Sequence, residues 1–376
     1  MENKLNLDHF GKHVYVGIDV HRKTYTITAL ADHFPYPYKV GGIAADPDRF
    51  IDWLKKRFLG AEIHTAYEAG FSGFVLHRKL KTAGIDSIVV NPGSIEVAVG
   101  NHVKTDKRDS AKIAEHLYQK RIGGIHIPSK ALEEARQITR TRYQLTKKKT
   151  GIGNQIKAKL IQFGFIEHDD DRKICKSYIN KFVATLKLAT DLRIAIDCLS
   201  AVYLCLDEQI KILDARIKAQ AEKDKKIDSI YQSVPGIGPV WARTLCNEIG
   251  DMTQFTSEKK LFSFLGFTPT ESSSGETRIQ GHISRQGRAI LRMVLCEAAW
   301  VAVARDPALA RSYHKIKIRR GGKRAIIAIA RKMTARIRHC LIQQEVYLLG
   351  YGETDIKPRL KSELRRTTVL EAMKVA

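Results

Sequence analysis

Four carboxylates in the first third of the chain occupy positions where acids need a reason. Asp19 closes the apolar run His13–Val20 (HVYVGIDV), although aspartate is depleted in strands. Glu68 takes the matching place after the strand-like HTAY and before Ala69-Gly70. Asp106 and Asp109, in VKTDKRDSAK, are three apart at the start of a helical pattern and so share one face. Singly, each has a plainer reading: a strand-end cap for Asp19, a partner of the helix macrodipole for acids in a first turn. Together they offer oxygen ligands to a hard divalent cation. A pair of such ions about 4 Å apart holds both the attacking and the leaving oxygen of a phosphodiester. With a net charge of +24, converging acids on a polyanion-facing sheet makes sense if metal neutralises them. The predicted cofactor is Mg²⁺, with Mn²⁺ as its substitute.

A second set of residues lies beyond position 230. Val234-Pro235-Gly236-Ile237-Gly238-Pro239, followed by an apolar helix, is a helix-hairpin-helix signature. Gly236 and Gly238 would let backbone N–H groups approach a phosphate at a helix N-terminus. The same turn also serves as a plain connector between helices. Ser272-Ser273-Ser274-Gly275 reads, on its own, as a polar turn. Arg278, Arg285, Arg288 and Arg292 could pair with phosphates or stabilise a pentavalent state; the alternative is a solvated basic face. Lys104, Lys107 and Arg108, beside the acidic pair, and Lys323 and Arg324 complete the candidate nucleic-acid contacts.

The elements that must position these residues fall into blocks. A chain of 376 residues and 42.4 kDa fits two domains and a connector, and 44% hydrophobic residues suffice for a real core. Lys and Arg number 64 against 40 Asp and Glu, which favours a nucleic-acid partner. No stretch reaches the ~18 apolar residues of a membrane span, and the N-terminus lacks the order of a signal peptide. The expectation is a soluble cytoplasmic protein, nucleoid-associated while acting, without a membrane partner. Six scattered cysteines contain no C-x-x-C pair, and the thirteen histidines show no H-E-x-x-H spacing. Neither a zinc site nor a disulfide framework is expected.

Residues 1–128 alternate strand-like and helix-like segments, as in an α/β sandwich. Residues 129–230 lose glycine and proline and become helical. There Leu192, Ile196, Leu199, Tyr203, Leu206, Ile210, Leu213 and Ile217 step by four and three, a heptad seam. A looser stripe runs through Leu145, Ile152, Ile156, Leu160 and Phe163. Packing of the two stripes within one subunit and an intersubunit coiled coil are both open. Residues 231–350 read as mainly helical and basic, and 351–376 as a polar tail.

An Asp on the first strand, a Glu on the fourth and two Asp on the closing helix is the order of an RNase H-like resolvase. The blocks VGIDVHRKTY, YEAGFSGFVLHRKLKTAGI and VKTDKRDSAKIAEHL resemble the nuclease domain of the DEDD-type transposases of bacterial insertion sequences. SVPGIGPVWARTLCNEIG, FLGFTPTESSSGETRIQGHISRQGRAILR and GGKRAIIAIARKM resemble that family's second block, in the same order. The resemblance implies an α/β RNase H-like (resolvase-like) N-terminal domain, a long helical coiled-coil connector, and a mainly α C-terminal domain with a helix-hairpin-helix. It implies a DNA recombinase whose four acids bind Mg²⁺ and whose nucleophile is Ser274, with Ser273 as fallback. It also implies a structured non-coding guide RNA and a homo-oligomer, dimer or tetramer, with composite sites. The rival readings are a junction endonuclease using the carboxylates and water alone, and a non-catalytic nucleic-acid-binding relative.

Overall fold

The computed structural model describes residues 9–95, 106–274 and 277–350, without the side chains of 94, 106, 107, 272–274 and 277–280. The chain divides into two compact units, residues 1–127 and 128–376.

The first unit is a five-stranded mixed sheet. Its strands are β1 (His13–Val20), β2 (Thr24–Leu30), β3 (Tyr38–Ala44), β4 (Glu62–Glu68) and β5 (Asp86–Val90), in the order β3-β2-β1-β4-β5. β1 runs antiparallel to β2 and parallel to β4, which is in turn parallel to β5. Strand alternation divides the residues between two faces. Val14, Val16 and Ile18 bury one way, with Phe50 and Leu54 of α1 (Pro47–Arg57) and Leu76 and Leu80 of α2 (Val75–Thr82). Asp46 starts α1 by accepting hydrogen bonds from the Asp48 and Arg49 amides, and Pro47 follows it where no intrahelical donor is needed. The other face carries α3 (Asp106–Tyr118), whose Ile113 packs with Ala66 and Val90.

In the second unit two long helices form an antiparallel pair: α4 (Lys130–Gln162) and α5 (Thr190–Lys223). Arg142 pairs with Asp214 (2.6 Å), Lys149 with Asp207, and Gly153 lies against the Tyr203 ring, so numbers fall on one helix as they rise on the other. The heptad residues divide by position. Ile196, Tyr203, Ile210 and Ile217 are buried, whereas Leu192, Leu199, Leu206 and Leu213 are only half-buried. A single facing helix covers one edge of the seam completely and the other in part.

The remainder of this unit packs α6 (Lys225–Ser233), α7 (Pro239–Ile249), α8 (Glu258–Leu265), α9 (Ala289–Arg305), α10 (Pro307–Arg320) and α11 (Gly322–Gln343) around one core. Buried Glu248 of α7 accepts from Arg140 of α4 through Nε (2.5 Å) and Nη2 (2.8 Å), tying the long helices to that core. A two-stranded antiparallel hairpin, β6 (Pro269–Ser274) and β7 (Thr277–Ile283), interrupts the helices. The C-terminal part is otherwise mainly helical, as expected, but one expectation is corrected: Ser272, Ser273 and Ser274 are strand backbone rather than turn. Strand β3 is likewise new, its glycines and exposed alternation hiding it from periodicity.

Candidate active site

Asp19 and Glu68 end neighbouring parallel strands. The β1–β4 ladder runs from His13↔Glu62 to Ile18↔Tyr67, so Asp19 and Glu68 stand side by side one residue beyond it. Both lie on the face covered by α3, because Gly17, two residues before Asp19, and Ala66, two before Glu68, meet that helix.

Gly17 shows how close the helix comes. A Cβ there would lie 2.2 Å from the Ser110 carbonyl oxygen and 2.3 Å from the Ala114 nitrogen. Ser110 is fully buried and its hydroxyl lies 3.0 Å from that of Thr28 on β2. At the far end of α3, Tyr118 packs edge-on against Tyr15, near the start of β1. The helix therefore runs antiparallel to β1. Its first turn, carrying Asp106 and Asp109, lies at the end of the sheet where Asp19 and Glu68 are. Asp109 is half-buried there; the Asp106 backbone opens the helix, and its side chain lies outside the described residues, as does that of Lys107. Lys104 also lies outside them. Arg108 is exposed.

His21 is a neighbour that the sequence reading passed over. Its Nε2 lies 3.0 Å from Asp19 Oδ2. The signal was available in Asp19-Val20-His21, since residues two apart at a strand end share a side.

In the second unit the loop Val234–Gly238 joins α6 to α7. Gly236 adopts φ +86°, and a Cβ on it would lie 2.8 Å from the Ala298 Cα of α9. Packing against α9 thus already accounts for that glycine, whereas Gly238 faces open space at the N-cap of α7. The serine hairpin rises from a pinned base. Gly266 and Gly287, both at positive φ, sit where a Cβ would collide with the carbonyls of Gln286 and Phe264. Arg292 Nη1 donates across that base to the carbonyls of Leu265 (3.1 Å) and Gln286 (2.8 Å). Arg292 is thus engaged in holding the hairpin. Arg288 lies 3.9 Å from buried Glu248, while Arg285, Lys323 and Arg324 are exposed. The side chains of Ser273, Ser274 and Arg278 lie outside the described residues.

Two family models cover the parts of the chain that hold these residues. A DEDD-type model described as a transposase matches residues 16–165, and the Transposase IS116/IS110/IS902 family matches residues 228–315. The transposase for insertion sequence element IS1533 of Leptospira borgpetersenii is 27% identical over 345 residues, covering 86% of this chain and 94% of its own. That for insertion sequence element IS1111A of Coxiella burnetii is 25% identical over 280 residues, covering 73% and 76%. The chain belongs to the DEDD-type insertion-sequence transposases. The first model takes in β1, β4 and α3 and runs on through α4, and the second takes in the PGIG loop and the serine hairpin. As a transposase it acts on DNA, and the family's use of divalent metal suits the hard oxygen donors that end β1 and β4. Among the described residues of the transposase, no helix is long and apolar enough to cross a membrane.

Proposed function

We propose that Asp19, Glu68, Asp106 and Asp109 form one Mg²⁺ centre, with Mn²⁺ as a substitute, and that Ser274 is the nucleophile that cuts and rejoins DNA, with Ser273 as fallback. The observation that most supports the metal centre is the parallel register setting Asp19 beside Glu68 at the end of the sheet where α3 begins. A bound ion would supply charge neutralisation at the phosphodiester oxygens. The carboxylates fix where that charge sits, and His21 limits the rotation of Asp19. A serine hydroxyl that gives up its proton and attacks phosphorus breaks one bridging P–O bond and releases a DNA hydroxyl. The covalent Ser–O–P bond keeps the phosphodiester's energy, so an incoming DNA hydroxyl displaces the serine and joins a second end without ATP. The pinned base at Gly266, Gly287 and Arg292 holds the strand that ends in Ser274.

The reading extends to partners. A structured non-coding RNA selects donor and target by pairing. Supporting it is a cavity of about 730 Å³ on the α4–α5 pair, where Arg142, Lys149, Lys157, Arg172, Lys173 and Lys211 outnumber Asp171, Asp207 and Asp214 and leave a net positive lining that suits phosphates. A homo-oligomer, dimer or tetramer, assembles through α5. Supporting that is a second stripe on this helix, where Ile194, Cys198, Val202, Cys205 and Ile212 are exposed at helical spacing.

Cleavage of DNA carrying the element's own ends tests the centre. Asp19→Asn or Glu68→Gln lowers cleavage by about two orders of magnitude or more while DNA binding persists, since neither change removes a cationic contact. Cleavage undiminished in EDTA contradicts the reading.

A further inference from the structure

The opposite end of the same two strands carries a different donor set. His13 opens β1, and Glu62 and His64 lie on β4, two apart and therefore on one face. The register puts His13 directly beside Glu62. His13 Nδ1 lies 3.1 Å from His64 Nε2 and 3.5 Å from Glu62 Oε2, and His64 Nε2 lies 3.8 Å from Glu62 Oε1. Among the described residues, these three make a group able to hold a metal ion, their ligand atoms all within 4.8 Å of one another.

We propose that His13, Glu62 and His64 bind a divalent transition ion of the zinc class, at a site separate from the carboxylate centre. A tetrahedral ion with ligands about 2.0–2.1 Å away has those ligands about 3.3 Å apart. The two imidazole nitrogens stand near that separation at 3.1 Å, and each reaches a different Glu62 oxygen at 3.5 and 3.8 Å, so a turn of that exposed carboxylate brings one oxygen to both. The tautomers fit as well. His64 Nδ1 donates to Asp86 Oδ2 (3.2 Å), leaving the Nε2 lone pair directed at the site. Asp86 is itself held by Lys81 Nζ (2.6 Å), giving the carboxylate–histidine–metal arrangement that orients a ligand and raises its basicity. Tyr15 stacks on the His64 ring at 5.0 Å and fixes its plane. Without metal, His13 Nδ1–H donates to His64 Nε2; on loading, the His13 proton moves to its outer nitrogen and Nδ1 becomes a ligand. Two imidazoles and one carboxylate suit Zn²⁺ and reject Mg²⁺, which takes oxygen donors in an octahedron.

His13 and Asp19 are six residues apart on β1, as Glu62 and Glu68 are on β4, so the two sites lie about 20 Å apart at opposite ends of one face. The proposed ion joins the starts of β1 and β4 directly and that of β5 through Asp86. Its role is to fasten the end of the sheet remote from the chemistry.

The test uses the full chain freed of metal with a chelator, then dialysed against Zn²⁺ in excess Mg²⁺, with Co²⁺ as an optical probe. Wild type binds one Zn²⁺ per chain that Mg²⁺ does not displace, with Co²⁺ giving tetrahedral d–d bands and thermal unfolding moving up by a few degrees. His13→Ala and Glu62→Gln, both at exposed positions, weaken binding at least tenfold with unchanged circular dichroism. Asp19→Asn leaves binding intact. Absence of bound Zn²⁺ in wild type, binding indifferent to both His13→Ala and Glu62→Gln, or binding lost in Asp19→Asn would each overturn the proposal.

Discussion

Gly17 shows how much of the candidate site depends on a residue without chemistry of its own. The Ser110 carbonyl and the Ala114 amide occupy the space of its missing side chain, and that contact brings the first turn of α3 to the end of the sheet that carries Asp19. Gly17→Val should force the helix away and cost about 3 kcal/mol in urea unfolding. Any folded fraction should lose cleavage; unchanged stability would mean that α3 is held elsewhere. The strand-end positions of Asp19 and Glu68 were legible in the sequence, because an acid closing an apolar strand is a local anomaly. Gly17 was not, because its constraint comes from a helix more than 90 residues later in the chain. His13 and His64 were hidden for the same reason: their spacing exists across two strands rather than along one. Arg292 was legible only as a cation, and its use at the hairpin base depends on carbonyls that no pattern displays.

At the scale of elements, the periodic segments were readable and the irregular ones were not. The long helices α4 and α5 were legible from their apolar stripes, which left packing within one subunit or between subunits open, while β3 and the β6–β7 hairpin, rich in Gly, Ser and Thr, offered no apolar alternation. The helical pair carries a pH dependence. Asp207 is held below the usual carboxylate range first by the hydrogen bond from Lys149, with Lys211 adding to it. A carboxyl depressed by folding contributes stability that is present above its unfolded value, about 3.9, and lost as pH falls through the folded one. Thermal unfolding should therefore move down between about pH 5 and pH 3, and Asp207→Asn should flatten part of that fall. An identical pH profile in the variant would remove the pair from the account. The outward stripe of α5 makes a separate prediction. Val202→Asp with Ile212→Asp should lower the oligomeric state in sedimentation while helix content holds, and an unchanged state would place self-association elsewhere.

For the molecule as a whole, the proposed carboxylates and serine lie in different compact units, with Asp109 and Ser274 separated by 165 positions (274 − 109). If the connector carries the serine to a neighbour's carboxylates, inactive Asp19→Ala protein mixed with inactive Ser274→Ala protein should recover some recombination. A dead mixture of subunits that demonstrably co-assemble would mean each site is built within one chain. The charge of +24 predicts a binding constant for nucleic acid that falls log-linearly between roughly 50 and 200 mM salt. A flat response would separate the charge from phosphate recognition. The most direct test of the central claim is the covalent intermediate. The transposase is incubated with end-labelled DNA of its own element in Mg²⁺, denatured, and searched for a protein–DNA adduct by gel and by mass spectrometry. The account predicts an adduct on the β6 peptide at Ser274, absent in Ser274→Ala and in Asp19→Asn. Strand cleavage by Ser274→Ala at the wild-type rate, with no adduct in either protein, would contradict it.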